Sequence, residues 1–207
     1  MSARYRVPAA RHRAEITIDR SRFLCTVDKS PTAAEAQQFI RAMNAEFPDA
    51  THNCWAYVVG APGSTGQVGL SDDGEPHGTA GRPMLTVLLH SGVGDIAAVV
   101  TRWFGGTKLG TGGLVKAYSG AVQLALESLP TGMRVELMDS VLRVQYADIS
   151  AMQQLWPQFE VQVLEEKYEA DVQYRLRMPT ERFDALQAAV LDATRGQSRL
   201  TPDREHT

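Results

Sequence analysis

The sequence has only two cysteines, Cys25 and Cys54, among 207 residues. That is too few for a disulfide scaffold, and a reducing cytoplasm is the expected setting. No run approaches the ~18 continuous apolar residues of a membrane helix, so no membrane partner is expected. The longest candidate, residues 96–100, is cut off by Thr101 and Arg102. The basic opening MSARYRVPAARHR has no apolar core behind it and does not read as a secretory signal. Zinc spacings of the CxxC or HExxH kind are absent, as is the deaminase pairing of His-x-Glu with Cys-x-x-Cys. Charge of one sign is also lacking, with a net of −3. Residues 1–131 carry 12 Lys+Arg against 11 Asp+Glu, whereas residues 132–207 carry 9 against 13. Six arginines nevertheless fall in the first 22 residues, against only Glu15 and Asp19. This excludes a wholesale electrostatic grip on nucleic acid and leaves room for a local phosphate-binding patch.

What is present is an ordinary globular composition, 43% hydrophobic and 22% charged. Its glycines are skewed: 15 of 17 lie between Gly60 and Gly120. Leu129-Pro130-Thr131-Gly132 makes a turn-like break, and the domain boundary is placed there. Two α+β domains are expected, at 1–131 and 135–204.

In the second half, Leu142, Val144 and Tyr146 alternate as a half-buried strand. Asp148 precedes a helix with Ile149, Met152 and Leu155 inward, stopped by Pro157. Val161 and Val163 form a strand, residues 165–169 a polar turn, and Ala170 to Met178 the clearest alternating strand. A helix from Pro179-Thr180 buries Phe183, Leu186 and Val190, and residues 198–200 close the order βαββαβ, that of a ferredoxin-like domain. Its open sheet face would show Arg143, Gln145, Gln162, Asp171, Gln173, Arg175 and Arg177 with no aromatic. RNA-reading sheets of this topology stack bases on aromatics, so that mode is disfavoured.

In the first half, residues 15–18 and 23–27 read as strands around the turn Asp19-Arg20-Ser21. Ser30-Pro31 is expected to cap a helix burying Ala36, Phe39, Ile40 and Met43. Further strands are expected at 53–59 and 96–104, and helices at 83–90 and 114–129.

Three segments could carry chemistry. Gly105-Gly106-Thr107-Lys108-Leu109-Gly110-Thr111-Gly112-Gly113 joins a strand to a helix, with Arg102 before it and Lys116 after it. Converging backbone N–H groups and a helix N-terminus make this an anion-site candidate. It is not a Walker A loop, and position 115, where the dinucleotide fingerprint needs glycine, holds Val115. Tight strand–helix packing would also call for these glycines. Asp72, Asp73, Glu75, His77, Thr79 and Arg82 crowd a second glycine-rich loop, which either holds a hard cation or makes turn geometry. His52 and Cys54 lie on one face of the third segment, as imaginable zinc ligands with His77, as a nucleophilic pair, or as a buried Cys beside a bonded His. No metal site is expected.

Four blocks together carry a resemblance. They are Arg20-Ser21-Arg22-Phe23, Ala50-x-His52-x-Cys54-x-Ala56-Tyr57, Ser71-Asp72-Asp73-Gly74-Glu75-Pro76-x-Gly78-Thr79-Ala80-Gly81-x-Pro83 and Arg102-x-Phe104-Gly105-Gly106-x-Lys108-Leu109-Gly110-x-Gly112-Gly113-Leu114-x-x-Ala117-Tyr118. The chain resembles the IMPACT family, in its bacterial YigZ-like branch. The resemblance implies an N-terminal domain similar to a ribosomal small-subunit protein domain and to domain IV of elongation factor G. It also implies a ferredoxin-like C-terminal domain similar to that factor's domain V. Eukaryotic members restrain a translation-control kinase through an extra N-terminal domain that is not seen in this sequence, so that role is not expected to transfer. For bacterial members the resemblance implies an uncharacterised role, with nucleic-acid or ribosome binding the usual suggestion, and it brings no catalytic residues. The paired metal-binding acids and histidines of a proline dipeptidase are not evident.

The expected function is non-enzymatic binding of RNA or a ribosome-associated factor. The glycine-rich loop and Arg22 would grip phosphate, with no cofactor. One alternative is a nucleotide-binding or phosphoryl-transfer enzyme, in which Asp72, Asp73 or Glu75 would hold magnesium. Another is a protein-interaction module. Dispersed cations and the lack of an evident enclosed apolar pocket favour a polymer over a small nucleotide.

Overall fold

The computed structural model describes residues 4–203. Residues 1–3 and 204 of the expected domains lie outside the described residues. The chain divides into two compact units, one ending at Arg134 and one beginning at Val135, each mixing helix and strand.

The first unit runs β1 (Arg4–Pro8), β2 (His12–Ile18), β3 (Ser21–Lys29), α1 (Ala33–Glu46), β4 (His52–Val59), β5 (Gln67–Ser71), α2 (Gly81–His90), β6 (Ile96–Trp103) and α3 (Gly110–Glu127). Five strands pair antiparallel in the order β2-β3-β6-β4-β5. β6 is central because it is apolar on both sides. Ile96, Ala98 and Val100 join the core under α2 and α3, while Ala97 and Val99 join the core under α1. The β2–β3 hairpin turns on Asp19 and Arg20 at φ 44° and 65°, the paired left-handed geometry of a two-residue turn.

α1 buries Ala36, Phe39, Ile40 and Met43 as its period predicts. Phe39, Ile40 and Met43 contribute roughly 1.5–3 kcal/mol each. Its cap is Thr32 rather than Ser30: the Thr32 hydroxyl accepts from the Glu35 N–H at 3.2 Å. The Ser30 N–H is already committed to the Asp95 carbonyl at 2.7 Å. α3 begins at Gly110, four residues before the expected start. Gly110 therefore opens a helix instead of belonging to a loop, entering at φ 69°, a conformation that suits glycine.

β7 (Thr131–Val135) pairs with β1. The second unit follows with β8 (Leu137–Val144), a 3-10 turn (Tyr146–Asp148), α4 (Ile149–Gln158), β9 (Gln162–Tyr168), β10 (Val172–Pro179), α5 (Phe183–Ala193) and β11 (Thr201–Pro202). Its antiparallel sheet has the order β11-β8-β10-β9. Leu142, Met152, Tyr174, Leu176, Leu186 and Val190 sit in its core. Four local expectations are corrected. Tyr146 leaves the strand for the 3-10 turn and is half exposed. Residues 165–168 extend β9, because β10 offers them a pairing edge that local polarity cannot reveal. Pro157 sits inside α4, which runs on to Gln158. The last strand lies at Thr201–Pro202, pairing with Val141 and Ser140. On the open face, Asp139 accepts from Arg177 at 2.7 and 2.9 Å, and Arg175 pairs with Asp203 at 3.0 Å.

Candidate functional site

β6 places an arginine where its alternation calls for a core residue. Ile96, Ala98 and Val100 precede Arg102 on the face toward α3, and Arg102 is only 5% exposed. Its cross-strand neighbours are Phe23 on β3 and His52 on β4. The guanidinium also lies over the rings of Phe23 and Phe104, 5.3 and 5.6 Å from their centroids. A cation this deep requires a partner. Glu75 is that partner, its Oε1 accepting from an Arg102 terminal nitrogen. The Tyr118 hydroxyl donates to the same oxygen at 2.8 Å. Burial, then Cys54 and Glu75, hold the Tyr118 phenol far above its ordinary value, so it stays a donor.

Glu75 is presented by a turn between β5 and α2 that three successive β4 residues grip. His52 Nδ1 donates to the Asp73 carbonyl at 2.7 Å, the Asn53 N–H to Asp73 Oδ2 at 2.6 Å, and Cys54 Sγ to the Asp72 carbonyl at 2.9 Å. A carbonyl only accepts, so His52 carries a hydrogen on Nδ1. Its Nε2 faces Glu75 Oε2 at 3.9 Å. Burial pushes the Cys54 thiol well up, and nucleophilic attack needs the thiolate. A Cys54–His52 nucleophilic pair is therefore not built.

These groups line a cavity of about 390 Å³, closed on its other side by the start of α3. Phe104, Leu109 and Leu114 supply apolar wall, and Lys108, Gly110 and Thr111 complete the lining. Its volume falls in the range of small-ligand sites, ~300–1,000 Å³. A half-open pocket that the sequence does not reveal is thus present, because its walls come from β4, β6, the β5–α2 turn and α3 together. Arg102 Nε is buried with no hydrogen-bond partner. The 18-residue α3 has no side-chain cap at Leu109, so its first-turn N–H groups are left without side-chain acceptors. Arg102, Lys108 and the positive end of α3 thus line one cavity, the donor set of an anion site.

The structure brings together Arg102, Lys108, Gly110, Thr111, His52 and Glu75 from the expected residues. Others lie elsewhere. Arg22 stacks on Trp103 at 3.9 Å and pairs with Glu15 at 3.3 Å. Gly105 is a packing glycine: a Cβ there would sit 2.0 Å from the Arg20 carbonyl carbon. Gly106, at φ 88°, turns the connection, while Gly112, Gly113 and Lys116 belong to α3. Asp72 caps α2, accepting from the N–H groups of Gly78, Ala80 and Gly81 at 2.7, 3.0 and 2.8 Å. Burial alone would raise its carboxyl; those three bonds and nearby His77 outweigh it and hold it below the ordinary value. The buried Thr79 donates to the Pro76 carbonyl at 2.6 Å, while His77 and Arg82 are exposed. The carboxylates named for magnesium are thus committed separately: Asp72 to α2, Asp73 to Asn53, Glu75 to Arg102 and Tyr118. Among the described residues no cluster of three or more His, Cys, Asp or Glu is placed to hold a metal ion, so this set does not fit that alternative.

Sequence reasoning missed Tyr118, Phe104, Leu109 and Leu114 as site residues. Tyr118 reads as an inward helix residue, and nothing local shows its hydroxyl reaching Glu75, 43 positions away. One signal was available: an arginine ending an apolar strand asks for a buried acid.

Known proteins resemble the chain over most of its length. The Impact N-terminal domain model matches residues 19–126, and a Domain of unknown function (DUF1949) model matches residues 142–197. The Escherichia coli (strain K12) protein called IMPACT family member YigZ is 41% identical over 194 residues, covering 94% of this chain and 95% of its own. The Bacillus subtilis (strain 168) IMPACT family member YvyE is 35% identical over 184 residues, covering 89% and 84%. A crystal structure described as that of a hypothetical protein is 39% identical, with a TM-score of 0.70 over 100% of both chains.

Proposed function

This chain belongs to the IMPACT family, and from that premise we propose that it is a cytoplasmic, non-enzymatic binding protein that takes a phosphate-bearing ligand, RNA of the translation apparatus, in the pocket before α3. The observation that carries the reading is the cavity in which Arg102 and Lys108 meet the uncapped N-terminus of α3. Cations beside first-turn N–H groups of a helix favour an anion.

The half-open cavity refines the expected polymer contact. One nucleotide unit of the RNA enters the pocket, and exposed cations outside it, Arg20 and Lys116, follow the backbone. Arg20 is well placed for this, because its guanidinium donates to Thr107 Oγ1 at 3.1 Å in the connection leading to α3. The βαββαβ order of the second unit is that of a ferredoxin-like domain. The likeness of the two units to elongation factor G domains IV and V, implied by the family resemblance, supports the same reading by analogy, since fold alone does not fix function. No helix of the described residues is long and apolar enough to cross a membrane.

The test is fluorescence anisotropy of a labelled single-stranded RNA across a salt series, with the native protein and with Lys108→Ala. The variant should bind more weakly, and its logarithmic salt slope should shrink by about 0.7, the value for one lost phosphate contact on a single strand. Identical affinity and slope in the two proteins would overturn the reading.

A further inference from the structure

Resting on that reading, we infer that Phe104 stacks on the base of the nucleotide in the pocket, so that the site takes unpaired RNA of any sequence. Among the described residues Phe104 is the only exposed phenylalanine, at 47%. An apolar ring left half in water forgoes part of the stabilisation that burial gives. Its backbone, by contrast, is anchored on both sides. The Phe104 N–H donates to Thr51 Oγ1 at 3.0 Å, and the Thr51 N–H donates to the Arg102 carbonyl at 2.8 Å. The next N–H, that of Gly105, donates to Ser21 Oγ at 3.1 Å. Gly105 packs so closely on the Arg20 carbonyl that no side chain fits there. The ring is thus presented from a fixed point, and a fixed aromatic surface loses little freedom when a ligand stacks on it. The adjacent Trp103 differs, since Arg22 already covers it at 3.9 Å.

The surroundings of the ring set its occupant. Phe104 lines the same cavity as Lys108 and the start of α3, and Leu109 and Leu114 add apolar wall beside it. The Arg102 guanidinium lies 5.6 Å from the ring centroid. A ligand that suits both parts of this wall carries an anion joined to a flat group with apolar faces. A nucleotide is such a ligand, its phosphate drawn to the cations and the helix and its base to the ring. Aromatic side chains stack on bases that are splayed out of a single strand, so a base on Phe104 comes from an unpaired segment. Every base has a π-face, and stacking therefore gives affinity without reading sequence.

The test is fluorescence anisotropy of the whole protein with a labelled single-stranded RNA and with an abasic strand of the same length. The native protein should bind the RNA more tightly than the abasic strand. In Phe104→Ala the RNA affinity should fall at least ~5-fold, the contribution of one stacked base. Its affinity for the abasic strand should stay native, which also shows that the variant is folded. Its salt slope should be unchanged too, because no charge is removed. Phe104→Trp should keep the native RNA affinity. Equal binding of the two strands by the native protein, an RNA affinity untouched by Phe104→Ala, or an equal loss on both strands would overturn the inference. So would a loss in Phe104→Trp as large as that in Phe104→Ala. In each of these cases a weakened Lys108→Ala leaves the phosphate site standing. If neither strand binds, and Lys108→Ala is without effect on RNA, both the inference and the reading beneath it are overturned.

Discussion

Arg102 and Glu75 form a buried ion pair, 5% and 8% exposed, that joins the end of a core strand to a surface turn 27 positions earlier. The pair does two jobs at once. It holds a cation under the cavity, and it fixes the turn that carries the rest of the wall. The Tyr118 hydroxyl on the shared oxygen ties α3 into the same arrangement.

Removing the acid should therefore be far more damaging than removing the phenol. Glu75→Ala leaves Arg102 buried without its counter-charge, a change that costs about 3–5 kcal/mol. Tyr118→Phe removes one hydrogen bond and leaves the ion pair in place, at about 1 kcal/mol. Urea unfolding followed by tryptophan fluorescence separates these values. Equal losses would mean that the pair is screened by water.

Asp72 should make stability depend on acid. Its carboxyl is held below the usual range despite burial, by the Gly78, Gly81 and Ala80 N–H bonds and by His77. A group depressed in the folded state stabilises above its unfolded value, about 3.9, and that stabilisation disappears as pH falls through the folded value. Asp72→Ala should cost about 1–3 kcal/mol at neutral pH, as the loss of a helix cap and its hydrogen bonds. The gap to the native protein should close as pH drops below about 4. Thermal melts at a series of pH values check this, and a gap that widened in acid would contradict it.

The core elements were legible because their periods are local. The buried stripe of α1 and the alternation of β10 follow from spacing alone. β1, β5 and β7 were not, since Arg4–Pro8, Gln67–Ser71 and Thr131–Val135 are short, and β5 and β7 carry glycine and β1 ends in proline. Their strand character comes from partners far along the chain. The site was half legible. Arg102, Lys108 and the glycines stood out by chemistry. The cavity did not, because it exists only once Glu75, Tyr118 and the first turn of α3 converge on Arg102. The same convergence turned Gly105 into a packing residue and Arg22 into a stacking partner of Trp103.

The most direct test of the anion pocket is a carboxylate placed where the ligand's charge should sit. Thr111 is the second residue of α3, exposed and lining the cavity. Thr111→Asp puts a negative group at the positive end of the helix, which favours the fold by about 0.3–1 kcal/mol. RNA affinity should fall by ~10-fold or more as phosphate is repelled, with the melting temperature unchanged or raised. Native RNA affinity in Thr111→Asp, measured at low salt alongside that melt, would show that the pocket does not receive phosphate.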